Sequence, residues 1–548
     1  MRSGLLIWSL LLAISGSSPV FHSTAWSEEL PALEDFDGIG GTIVAIGGGT
    51  PPVEVADQLR EHLRDDGDVL ILPDAAQDPL LASEEVNNWL RSQNITRVLT
   101  RTLPLDDAGR ARVLADVRTA SAVYLCGDSR SRLIQAWSGT PMAQELQQLL
   151  QRGGMLIGQS AGAAVLSRNM IASGTTEPAL EPGWGLLPDT IVEENFSEPS
   201  RLERSRAAVS RHPGTLGLGL NENTAIILRG RQFQVVGTGR ATVILGACSY
   251  RPEEILPLES GERADLTQLR RAARQRMSET DPGITQAAAV QVPSGALIIV
   301  GGGIMPRDVA ERFVELAGGS QARIVVLPTA TPRDQTDLRV PGFLQSASVQ
   351  RVTVLNQRGK SEVLSPEFLE ALEDATGIWF GGGRQWNFVD AYENTPAIAA
   401  FQQVLSRGGV IAGSSAGATI QGEFLVRGHP LGNTVMMAEG YERGFAFLPG
   451  SAIDQHFAQR QREPDLLAVI HRHPGLLGIG LDEGTAIVVR QGRADVIGLH
   501  SAHFLAGQRL AGIPAESLPV TAAEAKSFYV TVPTGGSINL QTLTPDSP

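Results

Sequence analysis

The sequence predicts two homologous α/β halves, each a mainly parallel sheet flanked by helices and carrying a serine on a strand-to-helix elbow. Three observations lead to that fold class. Long stretches of the chain occur twice, short apolar runs alternate with helical patterns in each copy, and in each copy one serine sits among glycines and alanines at the end of an apolar run.

The repetition comes first, because a repeat of this kind decides the architecture before any element is assigned. IVAIGGG (43–49) recurs as LIIVGGG (297–303), GGMLIGQSAGAAV (153–165) as GGVIAGSSAGATI (408–420), and RHPGTLGLGLNENTAIIL (211–228) as RHPGLLGIGLDEGTAIVV (472–489). Ser160 and Ser415 lie 255 positions apart and Glu222 and Glu483 lie 261 apart, so the register drifts little. Solenoid units run only about 20–50 residues, so this is a duplicated domain. A chain of 548 residues is also too long for one hydrophobic core.

Within the second copy, ALIIV, ARIVVLPTA, VQRVTVLN, GIWFGGG and GGVIAG read as buried strands. They alternate with amphipathic stretches such as RDVAERFVELAGG and SPEFLEALEDAT, which is the pattern of a parallel sheet covered on both faces. Ligand-handling residues are then expected at the carboxyl ends of the strands. TAIVVRQGRADVIG reads as a hairpin about a Gln-Gly turn. The expected division is a signal peptide at 1–27, an N-terminal linker at 28–40, a first domain at 41–249, a polar linker at 250–295 with a helix at LTQLRRAARQRM, and a second domain with a C-terminal tail at 296–548.

Composition excludes several classes. With 59 acidic against 45 basic residues the net charge is -14, which disfavours nucleic acid as a partner because phosphate-backbone binding needs concentrated Lys and Arg. The opening MRSGLLIWSLLLAISGSS has a basic start, a short apolar core and small residues after it, which reads as an export signal and points to a periplasmic or extracellular location. No later stretch is long and apolar enough for a membrane span. Cys126 and Cys248 are compatible with either a disulfide or two thiols.

Gly413-Ser414-Ser415-Ala416-Gly417 is a G-x-S-x-G elbow, which lifts its central serine out of the backbone where a substrate can approach. A serine hydroxyl needs a general base within reach and donors for the developing oxyanion. His456, in LPGSAIDQHFAQRQRE, is the candidate base, and comparison of the halves strengthens it. LPDTIVEENF of the first half aligns with LPGSAIDQHF, which sets Asn195 opposite His456; asparagine cannot shuttle a proton at neutral pH. Likewise YLCGDSRSR (124–132) aligns with WFGGGRQWN (379–387), which sets Arg130 opposite Gln385. The second half therefore reads as an enzyme and the first as its degenerate copy.

These residues resemble peptidase family S51, and within it cyanophycinases more closely than aspartyl dipeptidases. The resemblance spans 296–500 and, more weakly, 41–247; it rests on the glycine loop ending at Gln385, the SAGA elbow, DQHF at 454–457 and DEGTA at 482–486, in that order. It implies a Ser415–His456–Glu483 triad, with Asp454 as the rival acid, and a substrate grip from Gln385, Arg460 and Arg462. The Ala416 N–H together with the Gly382–Gly383 loop would receive the oxyanion. It further implies an exopeptidase for aspartyl peptides that releases β-aspartyl-arginine units from cyanophycin without a cofactor or metal. Two positions depart from the family pattern: Asp465 stands where a third arginine is usual, and Arg384 replaces an acidic or amide residue.

Other classes compete. An α/β-hydrolase esterase shares the elbow but runs serine, acid, histidine, whereas Glu483 follows His456. A non-catalytic peptide-binding or surface module is the alternative without chemistry. The glycines at 47–49 and 301–303 do not continue as a dinucleotide fingerprint, and His471 and His473 lack a metal-binding spacing, only the second being echoed in the first half.

Overall fold

The computed structural model describes residues 38–63, 68–102, 106–174, 176–281, 289–332 and 339–545. The expected signal peptide and all but the last three residues of the N-terminal linker lie outside the described residues.

Each half is built on an eight-stranded sheet. In the second half the order is Arg351–Val354, Arg323–Leu327, Gly377–Phe380, Val410–Ser414, Val292–Val300, Thr485–Gln491, Arg493–Gly498, Ser537–Asn539. The first five strands are parallel and the last three join antiparallel. The first half repeats the order with Val98–Thr100, Val69–Ala75, Ala122–Gly127, Met155–Gln159, Ile39–Ile46, Thr224–Gly230, Gln232–Gly237 and Arg263–Asp265. The Gln-Gly hairpin forms as expected, Arg490 pairing with Arg493.

The strands are aliphatic on both faces because both are covered. Leu297 and Ile299 pack with Phe380 and Phe401 on one side, and Ile298 and Val300 with Phe313 and Trp379 on the other. Helix Arg307–Leu316 buries Val309 and Phe313, four residues apart, on the second face. Helix Pro396–Ser406 covers the first and starts where the Thr395 hydroxyl accepts from the Ala397 N–H, with proline at the first turn.

Each half also has a smaller sheet that the sequence reading did not anticipate. In the second half it runs Gly422–Phe424, Leu448–Gln455, Leu477–Leu481, Ser501–Ala506, Val530–Pro533, the first three strands parallel. Its counterpart is Thr190–Glu193, Leu216–Leu220, Ala241–Leu245, Glu254–Leu258. Because Leu448–Gln455 and Leu477–Leu481 are parallel, the residues that follow them emerge at one end of this sheet.

The expected linker is corrected in its described part. Glu254–Leu258 and Arg263–Asp265 extend the two sheets of the first half, and helix Leu266–Gln275 is largely buried. Its Arg270 and Arg274 pair with Asp189 of the same half, while other arginines of this segment meet carboxylates of the second half. Arg271 pairs with Glu393, Arg276 with Glu439 at 2.6 Å, and Arg251 with Glu442. At the centre Arg231 donates to Asp265 at 2.8 Å, to Asp390 at 2.5 Å and to the Tyr441 hydroxyl at 2.7 Å, with its guanidinium 4.2 Å over the Trp386 ring. Burial holds Asp390 above the usual carboxylate range, against the pull of Arg231 and Arg271.

Removing one member of such a group leaves the others buried and uncompensated. Arg231→Met is expected to cost about 3–5 kcal/mol, read as a lower midpoint in denaturant unfolding, and to make the junction between the halves more susceptible to limited proteolysis.

Candidate active site

Three consecutive carbonyls at the end of strand Val292–Val300 organise the site. Val300 O accepts from Ser415 N at 3.1 Å, Gly301 O from His456 N at 2.7 Å, and Gly302 O from Gly484 N, next to Glu483, at 2.8 Å. The serine comes from the large sheet, while the histidine and glutamate follow adjacent parallel strands of the small sheet. The glycine loop joins the two sheets' carboxyl ends.

The side chains then form one chain of hydrogen bonds. Ser415 Oγ lies 3.1 Å from His456 Nε2, and His456 Nδ1 lies 2.5 Å from Glu483 Oε1. Asp454 makes no bond to this imidazole; its carboxylate accepts from Arg427 and Arg462, and Glu483 is the carboxylate bonded to the ring.

The small residues have specific tasks. Ser415 adopts φ 57, ψ -113, a conformation sparsely populated for a non-glycine residue. A Cβ on Gly413 would run into the Gly417 carbonyl, and one on Gly417 into the Phe380 carbonyl. Phe380 is held in turn by Phe388 and Phe401, with ring centroids 5.4 and 5.3 Å away. Gly302 has φ +97, and a Cβ there would overlap the His456 ring; one on Gly303 would come within 2.9 Å of Glu483 Cβ. The glycines at 301–303 therefore clear backbone space for the imidazole and its acid, a role the sequence alone did not assign.

Around the serine, Gly382 lies alongside, a Cβ there falling 3.5 Å from Ser415 Cβ, and Ala416 opens the short helix Ala416–Thr419, where the first N–H groups lack intrahelical partners. Gly383 adopts φ +146 and packs against Ala330. Gln385 is buried at the first position of helix Gln385–Tyr392, and Arg384 is exposed just before it.

The two arginines after the histidine differ from each other, contrary to the paired expectation. Arg460 is exposed, whereas Arg462 is buried and donates to Asp454 at 3.0 Å and to the Gln455 carbonyl at 2.7 Å. Arg462 is therefore bound up in the scaffold beneath the site. Asp465 is not an unpartnered anion: Arg427 donates to it at 2.6 Å and to Asp454 at 3.0 Å. Arg427 supplies, from a different loop, a cation near the position where the third arginine was expected. It went unnoticed in sequence because it lies outside the motif.

Asp482 is a second missed residue, although it begins the DEGTA motif. It accepts from Ala458 N at 3.1 Å, Ser501 N at 3.3 Å and His503 Nε2 at 3.2 Å, fixing the turn that presents Glu483. Burial opposes its charge, but these partners outweigh it and hold the carboxyl below its usual range. The Gln459 side chain adds a bond to Glu483 N at 2.9 Å. His471 bonds the Ile513 carbonyl and His473 packs on Phe424.

In the first half the backbone scaffold is the same. Ile46 O, Gly47 O and Gly48 O accept from Ser160 N, Asn195 N and Asn223 N at 3.0, 2.8 and 2.9 Å. Ser160 has φ 51, ψ -116, and Asn195 has φ 52 against 51 for His456. Asp128 occupies the place of Gly383, bracketed by the matching bonds Ser129 N to Ala75 O and Arg384 N to Ala330 O. Position by position, the first half keeps the frame and carries Asn195 where the second half has His456.

Burial holds His456 below its ordinary value, opposed by the hydrogen bond that its Nδ1–H donates to Glu483 and reinforced by Arg460 and Arg462. Only the neutral ring can accept the serine proton. Labelling of Ser415 by a fluorophosphonate is therefore expected to be flat through neutral pH and to fall with an apparent pKa below 6.5. Replacing Gly302 by alanine should suppress the labelling without unfolding the protein, as followed by circular dichroism.

The model for peptidase family S51 matches this chain over residues 43–236 and 297–497. A cyanophycinase of Trichormus variabilis is 29% identical over 238 residues, which cover 41% of this chain and 78% of that protein. A cyanophycinase of Geminocystis herdmanii is 28% identical over 223 residues, covering 39% and 82%. Among solved structures, a peptidase from an acI-B1 Actinobacterium is 22% identical and covers 42% of this chain and 98% of its own, at a TM-score of 0.34.

Proposed function

The chain belongs to peptidase family S51, and we propose that its second half is a serine exopeptidase for aspartyl peptides, exported from the cell, that releases β-aspartyl-arginine units from cyanophycin. The observation that carries this reading is the continuous Ser415–His456–Glu483 hydrogen-bond chain.

In the mechanism, His456 Nε2 takes the proton as Ser415 Oγ attacks the scissile carbonyl, and Glu483 orients and stabilises the resulting imidazolium. The Ala416 N–H and the Gly382–Gly383 loop donate to the oxyanion, a contribution of about 3 kcal/mol per donor in comparable sites. The imidazolium then protonates the leaving amine. Water, activated by the same imidazole, hydrolyses the acyl-enzyme and regenerates the hydroxyl. Arg460, exposed beside the triad, supplies a cation for a substrate carboxylate, while Arg462, Asp454 and Arg427 keep the underlying turn in place.

The substrate class is supported by the relatives named cyanophycinase and by the cationic character of the residues around this serine. Export is supported by the basic and then apolar start of the sequence, and among the described residues no helix is long and apolar enough to cross a membrane.

Incubation of the purified chain with cyanophycin and with α- and β-aspartyl dipeptides tests the reading. Dipeptide release from cyanophycin is expected, falling at least about 10³-fold in Ser415→Ala and staying within about twofold in Ser160→Ala. Turnover confined to simple esters would overturn the peptide assignment, and equal losses from the two substitutions would overturn the division of labour between the halves.

A further inference from the structure

The first half retains an open cavity of about 1350 Å³ at the carboxyl ends of its large sheet, with Ser160 and Asn223 on its floor. This is where a parallel α/β sheet binds ligands. The strained Ser160 backbone persists there although Asn195 has replaced the imidazole and Glu222 makes no bond to Asn195.

The residues changed between the copies invert the electrostatics of the cleft. Gly383, Arg384 and Arg460 of the second half correspond to Asp128, Ser129 and Pro199 of the first. Asp78, Glu85 and Asp128 line the cavity, and no Lys, Arg or His is among its described lining residues. Arg130, Arg201 and Arg204 border a neighbouring depression and are ion-paired with Glu193 and Glu194, while Arg132 borders it as an exposed side chain. One rim is apolar: Leu80 and Leu81 are 68% and 56% exposed, and Trp89 lies beside them. A carboxylate at the Gly383 position would oppose an oxyanion but suits a cation.

We propose that this cleft is a non-hydrolytic binding site for arginine side chains of a polypeptide. The carboxylates of Asp128 and Glu85 accept from the guanidinium, while Trp89, Leu80 and Leu81 cover its planar face and aliphatic stem. Arginine is favoured over lysine because the planar guanidinium both stacks and donates in a fork. The assignment rests on the cleft's own residues and stands whether or not the second half cleaves an arginine-bearing substrate.

Binding is measured on the full chain carrying Ser415→Ala, by fluorescence anisotropy of a labelled, blocked peptide alternating alanine and arginine, against its citrulline counterpart. Saturable binding of the arginine peptide is expected, weakened about tenfold or more for citrulline, for Asp128→Asn with Glu85→Gln, and for Trp89→Ala. The same charge change at two exposed acids of the other half, Glu367→Gln with Glu370→Gln, should leave affinity unchanged. Thermal melting checks that each variant is folded. No saturable binding, equal affinity for the citrulline peptide, or equal effects of the two double substitutions would each overturn the proposal. Failure of cyanophycin hydrolysis with this binding intact would count against the second half's assignment alone.

Discussion

The three carbonyls of Val300, Gly301 and Gly302 are the constraint from which the rest of the site follows. They fix the backbones of the serine, the histidine and the residue after the glutamate, on two different sheets, relative to one strand end. Each such bond adds only about 1 kcal/mol to stability. Their importance is geometric, because they set the Ser415 hydroxyl within hydrogen-bond reach of the His456 imidazole. The glycines are needed for the same reason: the strand end approaches the imidazole so closely that no side chain fits at Gly302. The first half keeps all three bonds, so duplication preserved the frame while the groups mounted on it diverged.

The junction between the halves connects this frame to the first half. Helix Gln385–Tyr392 begins beside the elbow, and from its first turns Trp386 and Asp390 reach the first half's Arg231. A buried arginine with two carboxylates, a tyrosine hydroxyl and an indole face satisfies its own charge and restrains the helix that carries Gln385. The first half thus buttresses the helix that begins beside the second half's elbow. Buried charges of this kind are poor stabilisers compared with apolar packing, but once present they tolerate few rearrangements.

Much of the site was legible because the chain presents its own comparison. Two copies with a nearly constant offset identify His456 by its replacement with Asn195 and single out Ser415 and Glu483 by position. The parallel strands were legible from aliphatic runs and the hairpin from its Gln-Gly turn. The smaller sheet was not, because strands such as Leu477–Leu481, rich in glycine, carry weak periodicity and form only against partners distant in sequence. Arg427 was invisible for a related reason: it replaces the missing arginine in space, from a loop 38 residues before Asp465. The pairings of Arg271 and Arg276 were invisible too, because their carboxylate partners Glu393 and Glu439 lie more than a hundred residues away.

The sequence by itself determined the duplication, the elbow and which half sets a histidine against its elbow, since these depend on local residue types and on matching one copy to the other. Tertiary structure decided which acid meets the imidazole, which arginine stays exposed, and how the halves join. Those outcomes depend on which side chains converge when two sheets and two domains pack, and a burial cost is offset only where opposite charges meet across that packing.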